Sequence, residues 1–290
     1  MTRLMRFRLA AFAALTALLA LPASGLAAGT EFDPSDEFQL DPWVSIELGP
    51  IDLSINKAVF YLVLASLICI AMGLVIRGGL KMRPTKAQNV VEIAYEFAEQ
   101  QIAKPTLTEK VYSRYFPYIA TLFLFILVSN LISFIPLPVG HTSWIGPIPD
   151  FALYAATANI NVTLALTVVT FVVYNYEGVK AHGVVGYLKT LVPDAPKAIQ
   201  PVIFGIEVLS QLLRLVSLSV RLFANLLAGH LLIIMAAGFM ILLGNFFGLI
   251  ALPVGVFFWV FEWLLVAGLQ AFIFAMLSGI YIGFAVQSSH

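Results

Sequence analysis

The chain has 290 residues, of which 60% are hydrophobic and 11% charged, and its formal net charge is zero. The charged fraction is less than half of the ~25% usual in soluble domains, so composition excludes an ordinary soluble domain. Several apolar stretches reach the ~20 residues needed to cross the hydrocarbon core of a bilayer. We therefore predict a membrane protein with several spans.

The N-terminus has the pattern of a cleaved export signal. Three arginines precede the apolar stretch Leu9–Leu21, and small residues at Gly25 and Ala27 suit a cleavage site. We assign residues 1–27 to this signal; the alternative is a first, uncleaved membrane helix, for which the stretch is short. Either way the following segment, residues 28–56, is expected outside the cell; it carries seven acidic residues and no lysine or arginine.

The remainder, residues 57–290, is predicted to be one all-α membrane domain. Its five predicted membrane-spanning elements cover approximately residues 57–76, 116–135, 159–176, 201–248 and 254–286. A basic, amphipathic linker (77–114) separates the first two spans. Glutamates at helical spacing predict a surface helix in this linker.

The lysines and arginines predict the orientation. Loops 77–114 and 177–200 contain ten of them together, whereas loops 137–157 and 244–255 contain none. By the positive-inside rule, the mature N-terminus lies outside and the C-terminus in the cytoplasm.

The fourth predicted span is too long for one upright crossing. Its 48 residues would extend roughly 72 Å as a helix, more than twice the ~30 Å hydrocarbon core. With the equally apolar final segment, it predicts two long, strongly tilted helices that form a hairpin with a break around Gly248–Pro253.

A stripe of charged residues follows one side of this fourth span. Glu207, Arg214 and Arg221 are spaced seven residues apart, which is nearly two helical turns. Glu207 and Arg214 lie near the predicted membrane–water interface. The alternative is that their side chains only reach that interface and have no role in transport. Arg221 is too deep for that, at a cost of at least ~2.5–3.5 kcal/mol, and it has no acidic residue three or four positions away. We infer that its counter-charge comes from another subunit.

Further polar residues lie in the predicted spans and suggest a water path. His230 follows Arg221 by nine residues, about 13 Å along the helix and on its opposite side. Each of these polar residues could instead only connect helices. In the predicted outer half they are Asn130, Ser133, Thr157, Asn159 and Asn161.

Several segments resemble the a subunit of the rotary F-type ATP synthase, bacterial type, the stator half of its membrane proton channel. Residues 221–230, Arg-Leu-Phe-Ala-Asn-Leu-Leu-Ala-Gly-His, resemble the family signature. So do residues 269–274 with Tyr281, and residues 125–131 and 159–163 in the second and third spans. The resemblance covers about residues 45–287.

The resemblance implies roles for individual residues. Arg221 would be the essential charge facing the carboxylates of the rotating c-ring, with Asn225 and Gln270 beside it. The inner half-channel would contain Glu207, Ser210 and Arg214. The outer half-channel would contain Asn130, Ser133, Thr157, Asn159, Asn161, His230 and Glu262.

One residue departs from the family pattern. Glu262 lies eight residues before Gln270, where we would expect seven. The extra residue turns its side chain by about 100° on an ideal helix. We therefore expect Glu262 to pair with His230 only if a local bulge corrects the register.

The function implied is proton translocation coupled to ring rotation and ATP synthesis, in a bacterial plasma membrane. The expected partners are c-ring subunits, b-type peripheral stalk subunits, the remainder of the synthase and membrane lipid. No P-loop, zinc motif or nucleotide fingerprint is apparent, so we expect neither cofactor, nucleotide nor nucleic acid, and a subunit that is not itself catalytic. The alternative is a secondary transporter that binds an anionic substrate at its intramembrane arginines.

Overall fold

The computed structural model describes a large part of the chain. The described residues are 40, 42–48, 51–52, 54–78, 84–135, 154–190, 196, 199–243 and 245–287. The predicted export signal, the first part of the acidic segment and residues 136–153 lie outside them.

The described chain is almost entirely helical. Its main helices are α1 (Lys57–Arg77), α2 (Lys86–Phe97), α3 (Glu109–Ile132), α4 (Ile160–Thr190), α5 (Gln200–Leu243), α6 (Asn245–Phe261) and α7 (Ala267–Val286). Two short strands, β1 (Glu47–Leu48) and β2 (Ile51–Asp52), pair antiparallel before α1. Five helical segments of the described chain are long and apolar enough to cross a membrane, which confirms the predicted all-α, polytopic architecture.

Capping residues account for two of the helix starts. The side chain of Asn56 accepts a hydrogen bond from the backbone N–H of Val59 at 3.1 Å, so α1 begins at the next residue. Thr85 caps α2 in the same way, through the N–H of Gln88 at 3.3 Å. Each bond satisfies one N–H that the first helical turn leaves without a partner.

Helix α2 continues into a linker that is tied to the start of α3. A π-helical segment, Ala98–Ala103, follows α2. In it, Glu99 accepts a hydrogen bond from the Tyr112 hydroxyl at 2.9 Å and lies 3.2 Å from the Lys104 ammonium. The pKa of Glu99 is lowered below its ordinary value. The hydrogen bond from Tyr112 is the larger cause and the contact with Lys104 the next.

Helix α3 packs against other membrane helices and carries polar residues near its end. It packs against α1 and α7, while α4 packs against both α5 and α7. Fully buried apolar side chains fill the space between these helices, among them Ile119, Ile126, Leu222, Leu226 and Phe274. Helix α7 contacts α3, α4 and α5 and so holds these three helices together.

The boundary between the last two long segments differs from the prediction. Helix α5 ends at Leu243, and α6 begins at Asn245 and runs through Pro253 instead of breaking near it. Proline is tolerated within membrane helices, because neighbouring groups satisfy the carbonyl that it leaves free. Helix α6 packs against α5, and the 44 residues of α5 extend roughly 66 Å. The strong tilt of both segments stays a prediction.

Helix α4 also extends beyond its predicted end. It reaches Thr190 with one break at Gly183, whose φ of 72° is readily available to glycine. Beyond the break, the Tyr187 hydroxyl donates to Asn175 Oδ1 at 2.9 Å. A continuous helix would separate these two residues by about 18 Å, so the segment after Gly183 folds back along α4.

Candidate functional site

The charged stripe lies on α5, and Arg221 stands on the exposed side of that helix. The neighbouring Leu222 and Leu226 are fully buried against the core, whereas the Arg221 side chain points away from it. Glu207 and Arg214 are half-buried. Because all three belong to one unbroken helix, their vertical order is fixed by the backbone.

Around Arg214 the helices α4, α5 and α7 form what we call the arginine cluster: Tyr174, Glu207, Gln211, Arg214 and Tyr281. The Tyr174 hydroxyl donates to Gln211 Oε1 at 2.7 Å. The Arg214 guanidinium lies over the Tyr281 ring, 4.8 Å from its centroid. Two longer contacts of 3.5 Å join Gln211 to Glu207 and to Arg214. A small cavity beside them is lined by Thr167 and Thr170 among others.

On the other side of Arg221 lies the histidine cluster: Asn130, Ser133, Thr157, His230 and Glu262. Asn130 is its structural centre and is completely buried. Its Nδ2 donates to the Ala267 carbonyl at 3.0 Å, and its Oδ1 accepts from the Thr157 hydroxyl at 2.7 Å. The Ser133 hydroxyl donates to the Asn130 carbonyl at 2.6 Å. One asparagine thus links α3, the segment before α4 and the start of α7.

His230 is buried beside this network, with only 2% of its surface exposed. Its Nδ1 lies 3.0 Å from the Leu226 carbonyl, and its ring packs on Phe134 with centroids 4.9 Å apart. Among the described residues, its Nε2 has no hydrogen-bond partner. One nitrogen is therefore anchored by the backbone, and the other is available to a water molecule or a proton.

The Glu262 side chain lies against α5 at Gly229, the residue that precedes His230. A Cβ atom added at Gly229 would meet the Glu262 carboxyl group, so the absence of a side chain there makes the room that Glu262 occupies. Glu262 is 6% exposed, and its Oε2 finds no hydrogen-bond partner within the described chain. The buried acid that lies against Gly229 and the buried base at the next residue, His230, thus each have one polar atom without a partner among the described residues.

The register departure at Glu262 has a structural counterpart. The five residues Glu262–Val266 form a π-helical turn between α6 and α7. A π-helical turn accommodates one more residue than an α-helical turn and often occurs at functional sites. The eight-residue interval between Glu262 and Gln270 therefore includes a local bulge of the kind that the expected register needs.

The remaining predicted site residues are distributed unevenly. Gln270 is buried and Asn225 partly buried, on α7 and α5 respectively, and Ser210 is partly exposed. Asn159 accepts a hydrogen bond from the Asn161 N–H at 2.9 Å, which makes it a cap for α4. The Asn161 side chain is exposed, so the structure does not bring it into the histidine cluster.

The sequence did not single out two residues of the arginine cluster, Gln211 and Tyr174, nor Gly229, which makes room for Glu262. Gln211 stands four residues after Glu207 and three before Arg214, and this spacing could have identified it. Gly229 lies within the signature but carries no side chain to suggest a role. Tyr174 belongs to another helix, 37 residues away from Gln211, and we find no local signal for it.

Comparisons with known proteins identify the family. The family model described as "ATP synthase A chain" matches residues 59–283. "ATP synthase subunit a" of Frankia alni is 36% identical over 269 residues, covering 89% of this chain and 86% of the relative. The protein of the same name from Brucella ovis is 34% identical over 265 residues, covering 89% and 99%. "ATP synthase subunit a 2" of Chlorobaculum tepidum is 34% identical, covering 89% and 70%. The chain belongs to the family of F-type ATP synthase a subunits and is a multi-pass membrane subunit of that complex.

Proposed function

We propose that the chain conducts protons through two offset half-channels and couples their flow to rotation of a c-ring. The observation that carries this proposal is the position of Arg221. It is exposed on a helix of which only one side, with Leu218, Leu222 and Leu226, packs into the apolar core, and no ion pair joins it to any described residue. A permanent cation in the membrane that has no ion-pair partner within the described part of the chain requires a counter-charge from elsewhere.

The two polar clusters support separate entry and exit paths. Along α5 the arginine cluster includes Arg214, about 10 Å to one side of Arg221, and the histidine cluster includes His230, about 13 Å to the other. Apolar side chains occupy most of the helix between them. A proton on one path therefore reaches the other only by way of the c-ring carboxylate that faces Arg221.

The electrostatic mechanism follows from the charge of Arg221. A ring carboxylate can pass through lipid when it is protonated, but not cheaply when it is ionised. Near Arg221 the ionised form is favoured, so the carboxylate releases its proton to the half-channel that contains Glu207. The same fixed charge opposes direct passage of protons between the half-channels. Each proton that crosses gains about 2.3 kcal/mol per 100 mV of membrane potential.

The remaining roles complete the proposal. The half-channel of the histidine cluster opens outward and that of the arginine cluster opens to the cytoplasm, as the positive-inside rule predicts. Partners are c-ring subunits and b-type stalk subunits, in a bacterial plasma membrane. The chain itself performs no catalytic step and supplies the path and the fixed charge. Family membership favours this reading over a transporter for an anionic substrate.

Replacing Arg221 tests the proposal directly. We expect Arg221→Ala to abolish proton-driven ATP synthesis in inverted membrane vesicles, because nothing then favours the ionised carboxylate, while the complex still assembles. Arg221→Lys should fail nearly as completely, since lysine lacks the planar guanidinium and can lose its charge when desolvated. Coupled synthesis that persists in Arg221→Ala vesicles would exclude this mechanism. Substrate uptake by the isolated chain in liposomes would instead support the transporter.

A further inference from the structure

Gln211 lies between two charged residues, Glu207 and Arg214, that form no salt bridge with each other. Its side chain contacts Glu207 on one side and Arg214 on the other, each at 3.5 Å. These distances are long for hydrogen bonds, so neither contact alone would hold the amide in place. The anchor is the Tyr174 hydroxyl, which donates to Gln211 Oε1 at 2.7 Å.

The donors around Gln211 determine which way its amide points. Arginine can only donate, and the Tyr174 hydroxyl donates to the same oxygen, so Oε1 faces both of them. The amide nitrogen then faces Glu207 Oε1, to which it can donate. The oriented amide therefore separates the carboxylate from the guanidinium.

The far side of the Arg214 guanidinium is held by an aromatic ring. It lies 4.8 Å from the Tyr281 centroid, within the range of an attractive cation–π contact. The ring of Tyr281 in turn packs against Tyr174, with centroids 5.8 Å apart. Tyr174 thus supports both neighbours of Arg214, the amide and the ring.

Without these supports the two charges would be free to meet. Glu207 and Arg214 are separated by about 10 Å along the helix axis, a gap that two long, opposed side chains can largely close. A direct ion pair would hold the Glu207 carboxylate in its ionised form and take up oxygen atoms that otherwise exchange protons.

We infer that Tyr174 and Gln211 are positioning residues that hold Arg214 against Tyr281 and so keep the Glu207 carboxylate free to relay protons. The inference rests on the proposed function, in which Glu207 belongs to the inner half-channel. It adds two residues to that half-channel and gives Arg214 a defined position in it.

The test uses the whole synthase in membrane vesicles and measures proton-driven ATP synthesis. We expect Gln211→Leu to lower the rate roughly two- to fivefold, the effect of an added ion pair in a partly exposed site. Tyr174→Phe removes only one hydroxyl group and should give a similar decrease. The matched control is Tyr118→Phe, which removes a hydroxyl bonded to Thr170 at 2.9 Å. That hydroxyl has no hydrogen bond to Gln211 or Arg214, so the rate should stay near that of the unmodified complex.

A second change separates positioning from a general structural role. In an Arg214→Gln background no guanidinium can reach Glu207, so Gln211→Leu should produce no further decrease, and the double variant should be faster than Gln211→Leu alone. Equal amounts of complex must be present, as measured by immunoblotting. Additive losses, or a loss in Tyr118→Phe equal to that in Tyr174→Phe, would overturn the inference. Coupled synthesis that survives Arg221→Ala would instead overturn the proposed function itself.

Discussion

The two polar clusters on either side of Arg221 are built in different ways. In the histidine cluster Asn130, Ser133 and Thr157 are fully buried; Asn130 and Ser133 donate to backbone carbonyls, and Thr157 donates to Asn130 Oδ1. In the arginine cluster four of the five side chains are partly exposed, and a permanent charge is held by an aromatic ring and one amide. The histidine cluster is held by buried hydrogen bonds, whereas the arginine cluster is held by contacts between partly exposed side chains.

This difference leads to different consequences of mutation. Removing one partner from a buried network leaves unsatisfied groups and costs stability as well as function. Removing a contact from a half-exposed charged group costs little stability, because water replaces it. We therefore expect the histidine cluster to affect assembly and proton flow together, and the arginine cluster to affect proton flow alone.

Among variants of the two clusters, Asn130→Leu is expected to have the largest effect, a loss of stability. It leaves the buried Thr157 hydroxyl without its acceptor, at about 1–3 kcal/mol for that unsatisfied group, and it also removes the hydrogen bond to the Ala267 carbonyl. The temperature at which the subunit dissociates from the detergent-solubilised complex should fall. The matched control is Asn175→Leu, which also removes two hydrogen bonds, to Phe171 and Tyr187, but at a partly exposed site beside the arginine cluster. Equal losses of thermal stability in the two variants would contradict the distinction.

Gly229→Ala should have the next largest effect, and chiefly on proton flow. The new methyl group would meet the Glu262 carboxyl and displace it from its position against residue 229. Proton-driven ATP synthesis should fall by at least as much as in Glu262→Gln, which removes the acid and leaves its place intact.

Two further variants make this steric explanation testable. Gly268→Ala adds a methyl group where no atom lies within 4 Å and should leave the rate unchanged. Combining Gly229→Ala with Glu262→Asp, which is shorter by one methylene group, should restore part of the rate. If the combination is no better than Gly229→Ala alone, displacement of the carboxyl is not the cause.

The smallest effect is expected for Arg214→Lys. Lysine keeps the charge but lacks the planar group that lies on Tyr281, so a contact worth about 0.5–1 kcal/mol is weakened. ATP synthesis should decrease by a few-fold at most, and the dissociation temperature should stay unchanged. A marked fall in that temperature would mean that the arginine cluster is as structural as the histidine cluster.

Much of the fold follows from sequence, because apolar length and charge placement are local properties. The five spans and the stripe of Glu207, Arg214 and Arg221 needed only composition and helical spacing. The boundary at Leu243 did not follow, since Pro253 and the glycines near it suggested a break where the helix in fact continues. Neighbouring helices can satisfy the backbone carbonyl that a proline leaves free, and helix propensity alone does not reveal this.

The site was predictable to the extent that its residues are polar and regularly spaced. Asn130, Ser133 and Thr157 were grouped by depth, and the structure joins them; Asn161 was grouped with them and is exposed. Tyr174 could not be found, because its contact with Gln211 joins two helices that only tertiary packing brings together. Gly229 could not be found either, since its importance comes from a carboxyl group on another helix.

The π-helical turn at Glu262–Val266 separates α6 from α7 and sets the rotation of one helix face relative to the other. Helix α7 beyond the turn is tied to α3 and α4, and α6 before it is tied to α5. One inserted residue can therefore turn the α6 face by about 100° and leave every contact of α7 in place. Where a relative has seven residues in this interval, the alignment gap belongs inside the helix at residues 262–266 and not in a loop.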